Sequence, residues 1–176
     1  MRDDSVRRRN RRSIAITNAR LVVRLLGDAA FEFDGKPWKL ERWAARTSLR
    51  VTLERDAPKG APQIPLNDEN LIAGIRLYGQ NCAVCHGASD AKPSRIARGL
   101  YQTPPQLAKD GVEDDPEGVT YWKIDHGIRF TGMPAFGKTL DDTQVWQLVL
   151  FLKHMDALPP APEQIWKSLR LNEGKV

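Results

Sequence analysis

The feature that most constrains this chain is the pentapeptide Cys82-Ala83-Val84-Cys85-His86. Its two cysteines are the only ones in the 176 residues, so neither sulfur has another cysteine as a disulfide partner. C-x-x-C-H is the attachment signature of haem c, in which two thioether bonds tether the macrocycle and the next histidine reaches the iron. The pattern therefore predicts one covalent haem, held by Cys82 and Cys85, with His86 as an axial iron ligand.

Two other chemistries use paired cysteines. A Cys-Cys-His-His zinc site would need His126 and His154, but these lie 28 positions apart, far outside the usual spacing of such a pair. A thioredoxin-like dithiol requires a βαβ context, and the sequence shows none. Both histidines lie in predicted helices with a polar face, so we expect them to be exposed to solvent.

A second iron ligand is predicted at Met133. The surrounding segment 129–138 contains Gly132, Pro134 and Gly137, which exclude a regular helix or a central strand. It is typical of a loop that presents one thioether from a stiffened backbone. A methionine that only fills an apolar gap would give the same pattern. Of the other methionines, Met1 begins the chain and Met155 lies in an apolar helical run, where core packing explains it.

The motif C-A-V-C-H-G at 82–87, with G-M-P-A-F-G at 132–137, resembles the class I c-type cytochromes. The resemblance covers about residues 66–158. It implies that the helix containing Gly74 and Tyr78 crosses the helix containing Leu148 and Phe151. It also implies that the proline-rich loop at 103–107 packs on the haem near the proximal histidine.

This resemblance implies an all-α class I cytochrome c fold, with about four short helices around one covalent haem c and its iron. The preceding N-terminal segment is expected to be irregular or partly helical. The implied function is a non-enzymatic single-electron carrier, free or as a module of a respiratory dehydrogenase or oxidase chain, that meets a redox protein partner transiently. The alternative is a haem enzyme or gas sensor with an open or displaceable sixth ligand. Haem attachment of this kind implies that the protein is located in the periplasm or on the outer face of the cytoplasmic membrane.

Helical patterns agree with this fold. One helix is predicted from Asp68 with Asn67 as its N-cap, and a short one at 94–100. A third is predicted from Asp115-Pro116 to near Gly127, and a last one after residues 140–142. In the third, Val119, Trp122 and Ile128 are expected to face inward. The candidate aromatic residues for the haem wall are Tyr101, Trp122, Phe130, Phe136 and Trp146.

Charge divides the chain into regions. Residues 1–60 contain 15 Lys or Arg against 8 Asp or Glu, whereas residues 61–176 contain 12 against 14, for a chain total of +5. We predict a basic leader at 1–36 that is poorly ordered or not native, and an amphipathic segment with a linker at 37–65. The haem domain is predicted at 66–160, and a tail at 161–176. No nucleic-acid partner is expected, because that interpretation depends only on the arginine run at 7–12.

The leader has no apolar segment suited to export. Arg20 and Arg24 each cost about 2.5–3.5 kcal/mol at the centre of an inserting helix, more than the neighbouring aliphatic residues recover at about 0.6 kcal/mol each. We therefore expect the native gene to encode an apolar signal or anchor in place of, or ahead of, this stretch. Membrane association would then depend on that missing or altered anchor.

Overall fold

The structure, a computed structural model, describes residues 39–60, 62 and 64–170. The leader predicted at 1–36 lies outside the described residues. The described part is helical and contains no β-strand, which confirms the predicted all-α class. Its helices are α1 Lys39–Asp56, α2 Asp68–Asn81, α3 Ala83–His86, α4 Arg95–Gly99, α5 Leu107–Asp110, α6 Glu117–His126, α7 Asp142–Lys153 and α8 Pro160–Ser168, with a 3-10 helix at Phe136–Lys138.

Side-chain caps fix the starts of the two longest helices in residues 66–160. Asn67 accepts a hydrogen bond from the Asn70 backbone N–H at 2.9 Å and caps α2, as predicted. At the start of α7, Asp141 accepts from the Gln144 backbone N–H at 2.9 Å, and the Gln144 side chain accepts from the Asp141 N–H at 3.0 Å. This reciprocal capping box satisfies two backbone donors that would otherwise have no helical partner.

Helices α2 and α7 cross closely and form the centre of the core. A Cβ added to Gly74 would meet the backbone carbonyl of Gln147 and lie 2.9 Å from Phe151 Cβ, so only glycine permits this approach. One turn further along α2, the fully buried ring of Tyr78 meets Phe151 edge to face, with centroids 5.4 Å apart. The predicted crossing of these two helices is thereby confirmed.

Helix α8 closes the same core from the C-terminal side. Trp166 is buried, and its ring centroid lies 5.5 Å from that of Tyr78 and 5.1 Å from that of Phe151. The sequence patterns did not predict this helix, which occupies part of the tail expected at 161–176. Its start at Pro160 is physically reasonable, since proline lacks only an N–H that the first turn does not use.

Helix α6 differs in detail from its prediction. Its N-cap is Pro116 rather than Asp115, whose carboxylate instead pairs with Lys123 Nζ at 2.6 Å. Its fully buried residues are Gly118, Thr120 and Ile124, whereas Val119 and Trp122, which were expected to face inward, are only half-buried.

Two contacts account for which residues of α6 are buried. A Cβ on Gly118 would collide with the carbonyl of Pro58, so the linker passes directly over the helix at that residue. Ile124 is the buried apolar side chain of this helix, whereas Trp122 stacks on the exposed ring of His126 at a centroid distance of 4.6 Å.

Helix α1 lies within the segment predicted to be amphipathic. It buries none of its residues, although Ala57 just beyond its end is buried. Near its N-terminus, Glu41 accepts a hydrogen bond from the Tyr101 hydroxyl at 3.1 Å. None of the helices described here is both long and apolar enough to cross a membrane.

Candidate functional site

One cavity of about 230 Å³ is lined by all four residues predicted to hold the haem: Cys82, Cys85, His86 and Met133. Elements far apart in sequence meet here, since the two cysteines and the histidine belong to the α2–α3 junction and Met133 to the loop after α6. The other lining residues are Tyr78, Asn81, Leu100, Gln102, Thr103, Pro104, Pro105, Leu107, Ile124, Ile128, Thr131, Gly132, Pro134, Phe136 and Leu152.

The attachment motif is held in a single tight turn. Cys82 ends α2, where its N–H donates to Tyr78 O at 2.8 Å, and its own carbonyl accepts from the N–H groups of Cys85 and His86 at 3.0 and 2.9 Å. This geometry places both cysteines on one turn of chain and points the histidine into the same cavity. The Tyr78 hydroxyl braces the turn from inside the core by donating to Gly87 O at 2.8 Å and His86 O at 3.2 Å.

The ring of His86 is oriented by the proline-rich loop. Its Nδ1 lies 2.9 Å from the carbonyl oxygen of Pro105, an atom that can only accept, so this contact is a hydrogen bond when Nδ1 carries the proton. In the neutral ring, Nε2 then has the free lone pair that a metal ligand requires. Burial lowers the pKa of His86 below its ordinary value, against the smaller opposite effect of the Pro105 hydrogen bond, and so favours the neutral ring.

Two side chains that sequence reasoning did not assign to the site also fix this turn. Gln106 Nε2 donates to Cys85 O and to Pro104 O, both at 3.2 Å, and so ties the motif to the proline-rich loop. Ser94 Oγ donates to Val84 O while accepting from the Ala97 N–H as the N-cap of α4. The capping pattern at Ser94 was visible in the sequence, but nothing local could reveal its second contact, ten residues back along the chain.

Both thiols favour the neutral, protonated form. Burial, with a smaller contribution from Cys85, raises the pKa of Cys82 to about 12, and burial also raises the pKa of Cys85. Redox-active and zinc-binding cysteines react as thiolates, in surroundings that lower the pKa. A thioether carries no charge. These apolar surroundings therefore suit alkylated sulfur better than a zinc-bound or redox-active thiolate.

The loop that contains Met133 is fixed by short-range contacts. The Met133 N–H donates to Thr131 Oγ1 at 3.1 Å, and its carbonyl accepts from the Ile128 N–H at 3.2 Å. Gly127, at φ +66°, allows the chain to double back, because a Cβ there would lie 2.7 Å from Met133 O and 2.6 Å from the carbonyl carbon of Pro134. The thioether is therefore presented from a constrained backbone, as the Gly and Pro pattern predicted.

These residues fit a haem c group. The cavity combines a mostly apolar lining, two thiols on one turn, an imidazole whose Nδ1 already faces the Pro105 carbonyl, and a thioether from a separate loop. An imidazole and a thioether are one of the ligand pairs that cytochromes use for iron. The roles of Cys82, Cys85, His86 and Met133 as attachment and ligand residues stay predictions.

Most of the predicted aromatic wall lies elsewhere. Of the five candidates, only Phe136 lines the cavity. Trp146 is buried in the helical core against Tyr121, and Phe130 is 81% exposed. Periodicity identifies an apolar side chain but not which of two neighbouring apolar spaces it enters.

The remaining histidines do not line this cavity. His126 is exposed beside Asp125, as expected, and His154, which caps the end of α7, is half-buried. Neither lines the cavity with the cysteines, and no cluster of three or more metal-binding side chains occurs among the described residues. A zinc site of the Cys-Cys-His-His type therefore has no geometric support.

Comparison with known families agrees with the site. Residues 69–152 match the family described as cytochrome C oxidase, cbb3-type, subunit III. The match includes nearly all of α2 and of α7, together with the C-x-x-C-H motif and the Met133 loop. No curated protein and no solved structure matches the chain. The matched segment is a c-type cytochrome domain, and such a domain binds haem c covalently with its iron.

Proposed function

We propose that this c-type cytochrome domain is a single-electron carrier in which Cys82 and Cys85 bind the haem covalently and His86 and Met133 are its axial ligands. The observation that carries the proposal is that these four side chains, from two separate parts of the chain, line the same cavity. Haem-based electron transfer is what a c-type cytochrome domain implies. The more specific role, a carrier whose haem iron has its sixth coordination position occupied, depends on Met133 as the ligand.

The chain's contribution to this role is rigidity. When bound, the haem supplies one iron that cycles between the ferric and ferrous states. Electron exchange is fast when the ligands move little between these states. Hydrogen bonds to Pro105 and from Tyr78 hold the His86 side, and the Thr131 and Ile128 hydrogen bonds hold the Met133 side. These hydrogen bonds would restrain both sides when the oxidation state changes.

Covalent attachment is tested by expressing the chain with a periplasmic haem-maturation system. Denaturation in acid and organic solvent should leave the haem with the protein. Cys82→Ser and Cys85→Ser should each retain a single thioether, which shifts the reduced α-band of the alkaline pyridine haemochrome to longer wavelength. Complete extraction of haem from the wild type would contradict the assignment of the cysteines.

Axial ligation is tested with matched pairs of variants. Met133→Ala should abolish the near-infrared sulfur-to-iron charge-transfer band, lower the reduction potential and allow the ferrous protein to bind carbon monoxide, because a thioether favours the ferrous state. Met155→Leu is the control, since Met155 is buried in the core and does not line the cavity. If Met133→Ala keeps the band, Met133 is not the ligand.

The proximal ligand has its own control. His86→Ala should prevent maturation of a low-spin haem, whereas His126→Ala, at an exposed site, should leave the spectrum unchanged. An enzyme or gas sensor would instead require an accessible iron. Rapid binding of carbon monoxide by the ferrous wild type would therefore replace the carrier with that alternative.

Partners and location follow from this role. We propose that the carrier meets a redox protein transiently, as a free protein or as a module of a dehydrogenase or oxidase chain. Cytochrome c domains are typically exported, so we place it in the periplasm or on the outer face of the cytoplasmic membrane.

A further inference from the structure

Helix α1 exposes an apolar stripe that the haem domain does not cover. Leu40 is 70% exposed, Trp43 63% and Val51 49%. With Ala44 they lie at helical intervals of three, four and eleven residues from Leu40, so at 100° per residue all four fall within about 100° of one side. We call these four residues the apolar stripe. Three of the large exposed apolar side chains of the described residues thus lie together on one helix.

A row of positive charge runs beside the apolar stripe. Lys39, Arg42, Arg46 and Arg50 recur every three or four residues and occupy the adjoining side of the helix, where Arg50 also pairs with Glu54 Oε1 at 3.3 Å. Glu41 lies well away from this row and is engaged by the Tyr101 hydroxyl at 3.1 and 3.2 Å, so its carboxylate faces the haem domain. The outward surface of α1 is therefore apolar along one edge and basic along the next.

We propose that α1 lies flat on an anionic lipid surface. A helix with a basic face beside an apolar face that carries tryptophan matches the chemistry of the bilayer interface, where indole rings sit at headgroup level and Lys and Arg meet lipid phosphates. Its 18 residues span about 27 Å along the surface. A lipid surface is favoured over a protein because Lys39, Arg42 and Arg46 form one row of like charge along the helix, the complement of a uniformly anionic plane.

Such a contact would also orient the haem domain. Tyr101, which holds Glu41 of α1, lies between Leu100 and Gln102, and both of these line the haem cavity. The helix on the surface is therefore joined to the rim of the cavity by one hydrogen bond. This inference goes beyond electron carriage and does not require Met133 to be an iron ligand.

The test uses the full-length haem-loaded protein and vesicles that sediment. Vesicles of phosphatidylcholine alone are compared with vesicles of equal parts phosphatidylcholine and phosphatidylglycerol, at low and high salt. We expect binding to the anionic vesicles only, weakened by salt. Equal binding to both would overturn the proposal, because the basic row would then have no role.

Matched variants separate α1 from the arginines at 7–12. Arg42→Gln with Arg46→Gln should weaken binding by about tenfold or more, on the basis of two surface charges. The control, Arg76→Gln with Arg95→Gln, removes two exposed arginines elsewhere and should change binding less than about threefold. Equal loss in both pairs would indicate non-specific charge and contradict a role for α1.

The apolar stripe has a separate test. Leu40→Ser with Trp43→Ser should weaken binding about tenfold or more, whereas Ile96→Ser, at a 56% exposed position on α4, should not. All these side chains are exposed, so the fold and haem spectrum should persist. If the stripe variant leaves vesicle binding intact but converts a dimer to a monomer in sedimentation, the stripe contacts a second copy and the proposal fails.

Discussion

Tyr78 connects the helical core to the haem-attachment turn through one hydroxyl. Its ring is completely buried against Phe151 and Trp166, while its hydroxyl group donates to the carbonyls of His86 and Gly87. Burial raises the pKa of Tyr78 well above its ordinary value, with a smaller contribution from Cys82, so the hydroxyl remains a donor. A residue that packs the core at one end therefore positions the ligand turn at the other.

Removing that hydroxyl should destabilise the protein without opening the core. Tyr78→Phe keeps the ring but leaves the buried carbonyl of Gly87 without its donor, at a cost of about 1–3 kcal/mol. The measurement is the denaturant midpoint of the haem-loaded protein. Tyr101→Phe provides the comparison, because its hydroxyl donates only to the carboxylate of Glu41 in an exposed contact; an equal effect in both variants would count against the special role of Tyr78.

A second tyrosine provides a pH-dependent contact between α6 and α7. The Tyr121 hydroxyl donates to Asp142 Oδ1 at 2.7 Å, and this hydrogen bond, followed by partial burial and the carboxylate charge, raises the pKa of Tyr121 to about 12. A group whose pKa is raised on folding adds stability that is complete below its unfolded value, about 10, and is lost as the pH rises toward 12.

The difference in free energy of unfolding between wild type and Tyr121→Phe should therefore be constant below about pH 10 and shrink toward pH 12. Denaturation curves at a series of pH values measure this difference. Introducing Asp142→Asn into both proteins removes the carboxylate and should remove most of the pH dependence. A difference that grows with pH would have the wrong sign for this interaction.

At the scale of helices, the crossing of α2 and α7 depends on one missing side chain. Gly74→Ala should cost about 1–3 kcal/mol, because its Cβ meets the Gln147 backbone and Phe151 Cβ, and backbone cannot move aside easily. Gly79→Ala is the matched control on the same helix, where the new Cβ meets only the tip of the Leu169 side chain. Thermal melts should show Gly74→Ala well below Gly79→Ala, and equal melting temperatures would contradict the tight crossing.

The helices that could be predicted from sequence are those whose signals are local. The Asn67 cap, the Asp141 capping box and the apolar periodicity of α7 identify their helices without knowledge of the fold. Helix α8 was missed because Pro159, Pro160 and Pro162 indicate a stop, and the same residues also suit the first turn of a new helix. Only the burial of Trp166 decides between these interpretations, and burial depends on distant elements.

The same distinction between local signals and long-range contacts applies to the site. Its residues could be named in advance because C-x-x-C-H has a fixed local spacing and Met133 lies in a loop of unusual composition. The supports of the site could not, since Gln106 reaches Cys85 O across 21 positions and Gly127 matters only because Pro134 lies over it. Contacts of this kind appear only when the chain has folded.

At the scale of the whole molecule, the helical core and the loop that borders the cavity are packed in different ways. Tyr78, Phe151 and Trp166 contact one another directly in the core of α2, α7 and α8. The loop from Gly127 to Gly137 instead borders the haem cavity and is held by few backbone hydrogen bonds, such as those from the Ile128 and Thr131 N–H groups, each at 3.2 Å. The core is thus built from protein alone, whereas the loop needs the haem to cover its inner side.

Loss of haem should therefore loosen the loop before the core. In the double variant Cys82→Ser/Cys85→Ser, purified without haem, we expect a lower melting temperature, because a group that binds only the folded state stabilises it. Native-state hydrogen exchange should show amides of 127–137 losing protection, while those of α2 and α7 remain the slowest, since local opening follows local contact density. The haem-loaded wild type is the reference. If α2 and α7 exchange as fast as the loop, the helical core itself depends on the haem.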